Sequence, residues 1–188
     1  IARDARLKRH LIQAGFEVYS TNGSLLWEPW EISKKDGSAY KVFTPFYKRG
    51  CLSAESPRKP LPVVKNILLS PADIESNELD ELGLLPKNEW HRSVKTCWDI
   101  SEKAASEQLE VFIQNGLTDY MERRNFPAKQ GVSRLSPYLH FGQISPHKVW
   151  HRVECEVDRT SRDLNQNIEH FFKELGWREF SYYLLYHS

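Results

Sequence analysis

The 188-residue chain is short of several things, and each shortage removes a class of function. It has almost no charge excess: 26 basic against 25 acidic residues leave a formal net charge of +1. Nothing therefore draws the whole molecule to a polyanion or a membrane surface, and any basic surface must be local. It has three cysteines, Cys51, Cys97 and Cys155, odd in number, widely spaced and without metal-ligand spacing. That excludes a disulfide scaffold and reads as reduced thiols in a cytosolic protein. No apolar run reaches the length of a membrane span and no signal peptide opens the chain, so the reading is cytoplasmic with no membrane partner. His147 and His151 stand one helical turn apart, as a metal pair would, but no third ligand follows at usable spacing and no metal site is expected.

Aromatic side chains are what the sequence has in plenty. They make up 12% of it, with six tryptophans, and rings in that number must be buried or stacked on something. Residues 3–14 have the pattern of an amphipathic helix ended by Gly15, "FEVYS" (16–20) reads as a strand, and "TNG" as a turn. A helix feeding a single strand is the tail of an α/β unit, because a lone strand cannot satisfy its own edges. After the charged turn "KKDGSAY", most of the chain's prolines fall before residue 88 with little periodicity, as in a linker lying over a surface. From Ser101 the pattern turns helical. Ala105, Leu109, Phe112 and Ile113 form one stripe closed by Gly116, and Ser145-Pro146 starts a helix carrying Val149, Trp150 and Val153. A final helix is expected to begin near Asp163 or Asn165 and carries no stop signal at its end. Both ends read as interrupted, so a piece of a longer protein is expected.

Three stretches could carry chemistry. In "GVSRLSP", Gly131 and two serines bracketing Arg134 make a polar loop whose hydroxyls and backbone N–H groups could bind a phosphate. Equally, Ser133 or Ser136 could simply cap the helix that follows. In "DYMERRNFP", Arg123 and Arg124 could contact phosphates or form a solvated helix end. In "FFKELGWREFSYYLLYHS", Ile168, Phe171, Phe172, Leu175, Tyr182, Tyr183 and Tyr186 share an apolar face. Glu174, Trp177, Arg178 and Ser181 share the other. Charges there could pair with neighbouring helices, and Glu179, amid the apolar stripe, needs a buried partner. An exposed indole beside an arginine could also stack on a base and hold the adjoining phosphate.

Taken in order, "RDARLKRHL", "GSLLWEPWEI", "YKVFTPFYKRG", "YMERRNFPAKQGVSRLSPYLHFGQISPHKVW" and "FFKELGWREFSYYLLYH" resemble the photolyase/cryptochrome flavoprotein family. The resemblance implies a mostly α fragment. Residues 1–32 would be the end of an α/β antenna domain, 33–100 an interdomain linker, and 101–188 the first part of the all-helical FAD-binding domain. Tyr120, Val132, Ser133, Arg134, Leu135, Ser136 and Phe171 fall at flavin-binding positions, Val132 replacing the family's usual threonine. Glu174 and Trp177 match the catalytic "E-x-x-W-R-E-F" stretch that receives the damaged dinucleotide, and Arg124 and Arg178 match DNA-contacting positions. The implied activity is blue-light-driven splitting of cyclobutane pyrimidine dimers by electron transfer from reduced FAD, by a monomer whose partner is damaged DNA. A second antenna chromophore of folate or deazaflavin type is possible. A cryptochrome photoreceptor without repair, or an inactive fragment, is the alternative; Glu174 favours the photolyase, since many animal cryptochromes have glutamine there.

Overall fold

A computed structural model describes residues 2–69, 75–85, 87–158 and 161–188. The expected linker also runs through 70–74 and residue 86, which lie outside the described residues. Eight α-helices follow one another among those described: α1 (Ala2–Gln13), α2 (Phe43–Pro45), α3 (Arg92–Cys97), α4 (Glu102–Asn115), α5 (Tyr120–Arg123), α6 (Ser136–Phe141), α7 (Pro146–Glu154) and α8 (Arg162–His187). α2 continues through wider and then tighter helical turns to Ser53. No described residue forms a β-strand, so the strand expected at Phe16–Ser20 is absent. Its residues are without regular structure for the reason given above: no second strand is present among the described residues to take its hydrogen bonds.

The helix ends follow their caps. Ser101 Oγ accepts from the Ala104 N–H at 3.0 Å to open α4, and Ser145 Oγ accepts from Lys148 at 3.1 Å to open α7. α8 starts earlier than its expected Asp163 or Asn165. Ser161 Oγ caps it by accepting from Leu164 N–H, while Asn165 folds back on Asp158, donating to its carbonyl at 2.6 Å.

α8 is the spine of the core. Its Ile168, Phe171, Phe172, Leu175, Phe180 and Tyr183 are all buried. Phe172 stacks on Trp150 of α7 with ring centres 4.0 Å apart, and Trp150 meets Trp27 edge-on at 5.6 Å. Arg152 of α7 grips Glu110 of α4 with two parallel bonds of 2.8 and 2.7 Å. The run 43–53 lies across the far half of α8. Phe46 packs on Phe180 and Tyr183, and the Tyr47 ring lies over Gly176 so closely that any Cβ there would sit 2.5 Å from it. Only glycine lets that ring approach. Hydrogen bonds pin the earlier chain to the same helix. Leu26 N–H donates to Glu179 Oε2 (2.8 Å), Tyr40 N–H donates to the Tyr183 hydroxyl (3.0 Å), and His187 Nε2 lies 3.3 Å from the Pro29 carbonyl.

The proline-rich stretch is not uniform. Residues up to Cys51 supply core side chains, whereas 58–69 and 75–85 are exposed. The two meet at His151, whose Nε2 lies 2.9 Å from the Pro57 carbonyl and 3.1 Å from that of Arg58.

Candidate cofactor and nucleic-acid site

Tyr120 is placed by a borrowed anchor. α5 is a single turn, too short to hold itself. Buried Asn167 of α8 does so, its Oδ1 accepting from Met121 N–H at 2.7 Å and its amide donating to the Asp163 carbonyl at 2.9 Å. Tyr120 then stands edge-on to Phe112 and Phe171, with ring centres 5.5 Å away in both cases. Burial raises its phenol pKa, while the Arg124 guanidinium beside it pulls the other way.

The loop before α6 is held against this cluster. Gly131 runs so close to α5 that a Cβ would lie 2.4 Å from that of Arg123, the Ser133 carbonyl accepts from the Gln108 amide at 3.0 Å, and Leu135 is buried. Between them Arg134 has φ of 55°, the left-handed region, at a cost of about 1–2 kcal/mol for a residue with a side chain. Neither serine caps α6, whose N-cap is Leu135 with no side-chain bond; Ser133 Oγ instead closes a local turn before it by accepting from Leu135 N–H at 3.4 Å.

α5, this loop, α6 and one face of α8 line an open-sided cavity of about 490 Å³. Tyr120, Val132, Ser133, Arg134, Leu135, Ser136 and Phe171 all line it, and so do Glu174 and Arg178. Of its remaining walls, Leu139 and His140 carried no sequence signal, while Leu175 and Tyr182, expected on the face away from Glu174 and Arg178, share the cavity with them. Both were findable as walls, since they fall four residues after Phe171 and Arg178 on α8. Arg124 reaches the cavity by pairing with Glu174, and this bond is the first cause of its raised pKa. Burial lowers the pKa of neighbouring His170, with Arg124 and Lys173 adding to the effect.

Trp177 and Arg178 are not arranged as free ligands. Trp177, 47% exposed, stacks on Phe43 at 3.8 Å with planes 11° apart, so one indole face is covered and lies apart from the cavity. Phe43 gave no sequence signal, because it meets α8 across more than a hundred residues. Arg178 donates to Glu179 Oε1 at 2.9 Å and sits 5.0 Å over the Tyr182 ring. Glu179, 3% exposed, has the buried partners its position demands: Arg178 and the N–H groups of Leu26 and Trp27. Burial still pushes its carboxyl up to about 7 against their pull. In the histidine pair, His147 is buried with neither ring nitrogen partnered within the protein, and no cluster of three metal-ligating side chains exists among the described residues.

A cavity lined by hydroxyls, guanidinium groups and aromatic rings can take an anionic group joined to a flat one. A family model described as DNA photolyase matches residues 1–65. Deoxyribodipyrimidine photo-lyase of Agrobacterium fabrum is 38% identical over 189 residues, covering 100% of this chain and 38% of that protein. Cryptochrome-2 of Arabidopsis thaliana is 32% identical over 197 residues, covering 99% of the chain and 32% of that protein. The crystal structure of a bacterial class III photolyase from Agrobacterium tumefaciens matches with a TM-score of 0.86 and 36% identity, over 99% of this chain and 38% of that one. The chain thus spans well under half the length of these relatives, and no helix among its described residues is long and apolar enough to cross a membrane.

Proposed function

Because the chain belongs to the DNA photolyase and cryptochrome family, we propose that it carries the first wall of the FAD site, and part of the DNA-lesion site, of a light-driven repair protein for cyclobutane pyrimidine dimers. The observation that supports this most is the convergence of two serines, two arginines, Tyr120, Phe171 and Glu174 on one cavity. The donor set fits the group. The Ser133 and Ser136 hydroxyls can donate to phosphate oxygens, and the Arg134 and Arg178 charges favour an anion. Phe171 and Leu175 give a flat ring an apolar wall that excludes water. When bound, the flavin would supply the photoexcited electron that opens the dimer ring and recover it afterwards. Glu174, oriented by Arg124, would hydrogen-bond an extruded pyrimidine, and the uncovered side of Trp177 would stack on it. Arg178, tied to Glu179, acts as a fixed charge. A photoreceptor role has the cryptochrome relatives in its favour, but Glu174 and the higher identity to a photo-lyase favour repair.

Two measurements test this reading. In nuclear magnetic resonance titrations of the 188-residue chain, FAD should shift the signals of residues 131–136 and riboflavin, which has no phosphate, should not. Ser133→Ala with Ser136→Ala should weaken FAD binding tenfold or more, each lost charge-assisted bond being worth roughly 1.5–3 kcal/mol. Equal binding by the double variant would remove the phosphate role. In the second, a dimer-containing oligonucleotide should bind more tightly than an undamaged one. Trp177→Ala should shrink that difference by about 1–3 kcal/mol; an equal loss for both DNAs would make Trp177 a packing residue and leave the repair reading without support.

A further inference from the structure

Arg134 is the one residue other than glycine with positive φ among those described, and a strained backbone persists only where its surroundings over-determine it. Gly131, Gln108 and Leu135 pin the loop on either side of Arg134. The Arg134 side chain has its own hold: its guanidinium lies 5.0 Å over the indole of Trp98, at the end of α3. Trp98 in turn stands edge-on to Tyr138 at 5.8 Å, and the Tyr138 hydroxyl donates to the carbonyl of Asp99 at 2.8 Å. Tyr138 belongs to α6, the helix that begins two residues after Arg134. Trp98 therefore bridges Arg134, two residues before the helix, and Tyr138, its third residue, and the chain next to Trp98 is fastened to the second of these. The bend between 134 and 136 is closed from outside by a side chain that does not line the cavity.

We propose that Trp98 is a positioning residue: by clamping Arg134 against Tyr138 it keeps the left-handed turn that presents Ser133 and Ser136 to the phosphates of a bound nucleotide. This rests on the phosphate-binding reading of the cavity. A guanidinium on an indole face is a favourable contact, strongest with tryptophan. Releasing it lets Arg134 relax towards the negative φ that ordinary residues prefer, which turns the flanking serines away from each other.

The test is titration of the 188-residue chain with ADP, which has the pyrophosphate but no flavin, followed by nuclear magnetic resonance. Wild type should bind, and Trp98→Leu should bind about tenfold more weakly. Trp98→Phe, which keeps an aromatic face, should recover most of the loss. Glycine adopts the left-handed turn without help, so in an Arg134→Gly background Trp98→Leu should have no further effect. Should Trp98→Leu fail to fold, the exposed position supplies the test. Arg134→Ala, which loses the clamp and still resists positive φ, should bind several-fold more weakly than Arg134→Gly. Trp98→Leu binding as wild type, an equal loss in the glycine background, or equal binding by Arg134→Ala and Arg134→Gly would each overturn the positioning role. If wild type itself does not bind ADP, the phosphate reading fails and the inference falls with it.

Discussion

Glu179→Ala lowers the stability of the folded chain by about 3–5 kcal/mol at mildly alkaline pH, where the carboxyl is ionised, the range for removing one partner of a buried ion pair. The carboxylate is the acceptor for Arg178 and for the N–H groups of Leu26 and Trp27, and it is 3% exposed. Removing it leaves two backbone donors buried near an empty volume and a guanidinium without its partner. The damage spreads along the earlier chain, since Trp27 also packs on Trp150 and its indole N–H donates to the Glu55 carbonyl at 2.9 Å. Urea unfolding with linear extrapolation measures the loss, and exposed Leu184→Ala on the same helix is the control. A loss below about 1 kcal/mol, within the range of an ordinary surface substitution, would show that these donors find other acceptors.

Two buried titratable groups tilt stability in opposite directions with pH. Glu179 is pushed from 4.5 up to about 7 by burial. Between those values the unfolded chain has released the proton and the folded chain still holds it, so this contribution is complete below about 4.5 and is lost as pH rises through 7. His147 is lowered from 6.5 to about 4 by burial first, with Arg58 and His151 adding to it. Its contribution is complete above 6.5 and is lost as pH falls through 4. From 4.5 to 6.5 the two slopes oppose, each at most about 1.4 kcal/mol per pH unit, and their contributions largely cancel. Glu179→Gln should expose the histidine slope, with stability falling towards acid. His147→Leu should expose the glutamate slope, with stability rising towards acid, and at pH 7 it should cost little because no hydrogen bond is lost. Comparing variants cancels the other titrating groups. Parallel profiles for all three proteins would refute the opposition.

The helical half of the fold was legible because its signals are local. The stripe of α4, the Ser101 and Ser145 caps and the apolar face of α8 depend on residues three or four apart. Part of the cavity was legible too: the serines, Arg134, Glu174 and Arg178 stood out by residue type, whereas Tyr120, Val132, Leu135 and Phe171 were marked only by the family resemblance. What escaped was contact between distant segments: Phe43 on Trp177, Tyr47 over Gly176, Trp98 under Arg134. Neither residue of such a pair has a reason for its identity until the other is beside it. The strand at 16–20 failed on the same ground in reverse, because a local pattern suited to pairing found no partner.

The bonds from Leu26 to Glu179 and from Tyr40 to Tyr183 join residues 153 and 143 positions apart. During synthesis, then, the segment bearing Trp27, Ile32, Phe46 and Tyr47 leaves the ribosome long before the helix that covers it. At about 5–20 residues per second the wait is roughly seven to thirty seconds, during which those side chains lack the helix that buries them. The nascent chain is for that interval a client for whatever binds exposed aromatic segments, and its yield in a cell depends on that shelter as well as on the stability of the finished fold.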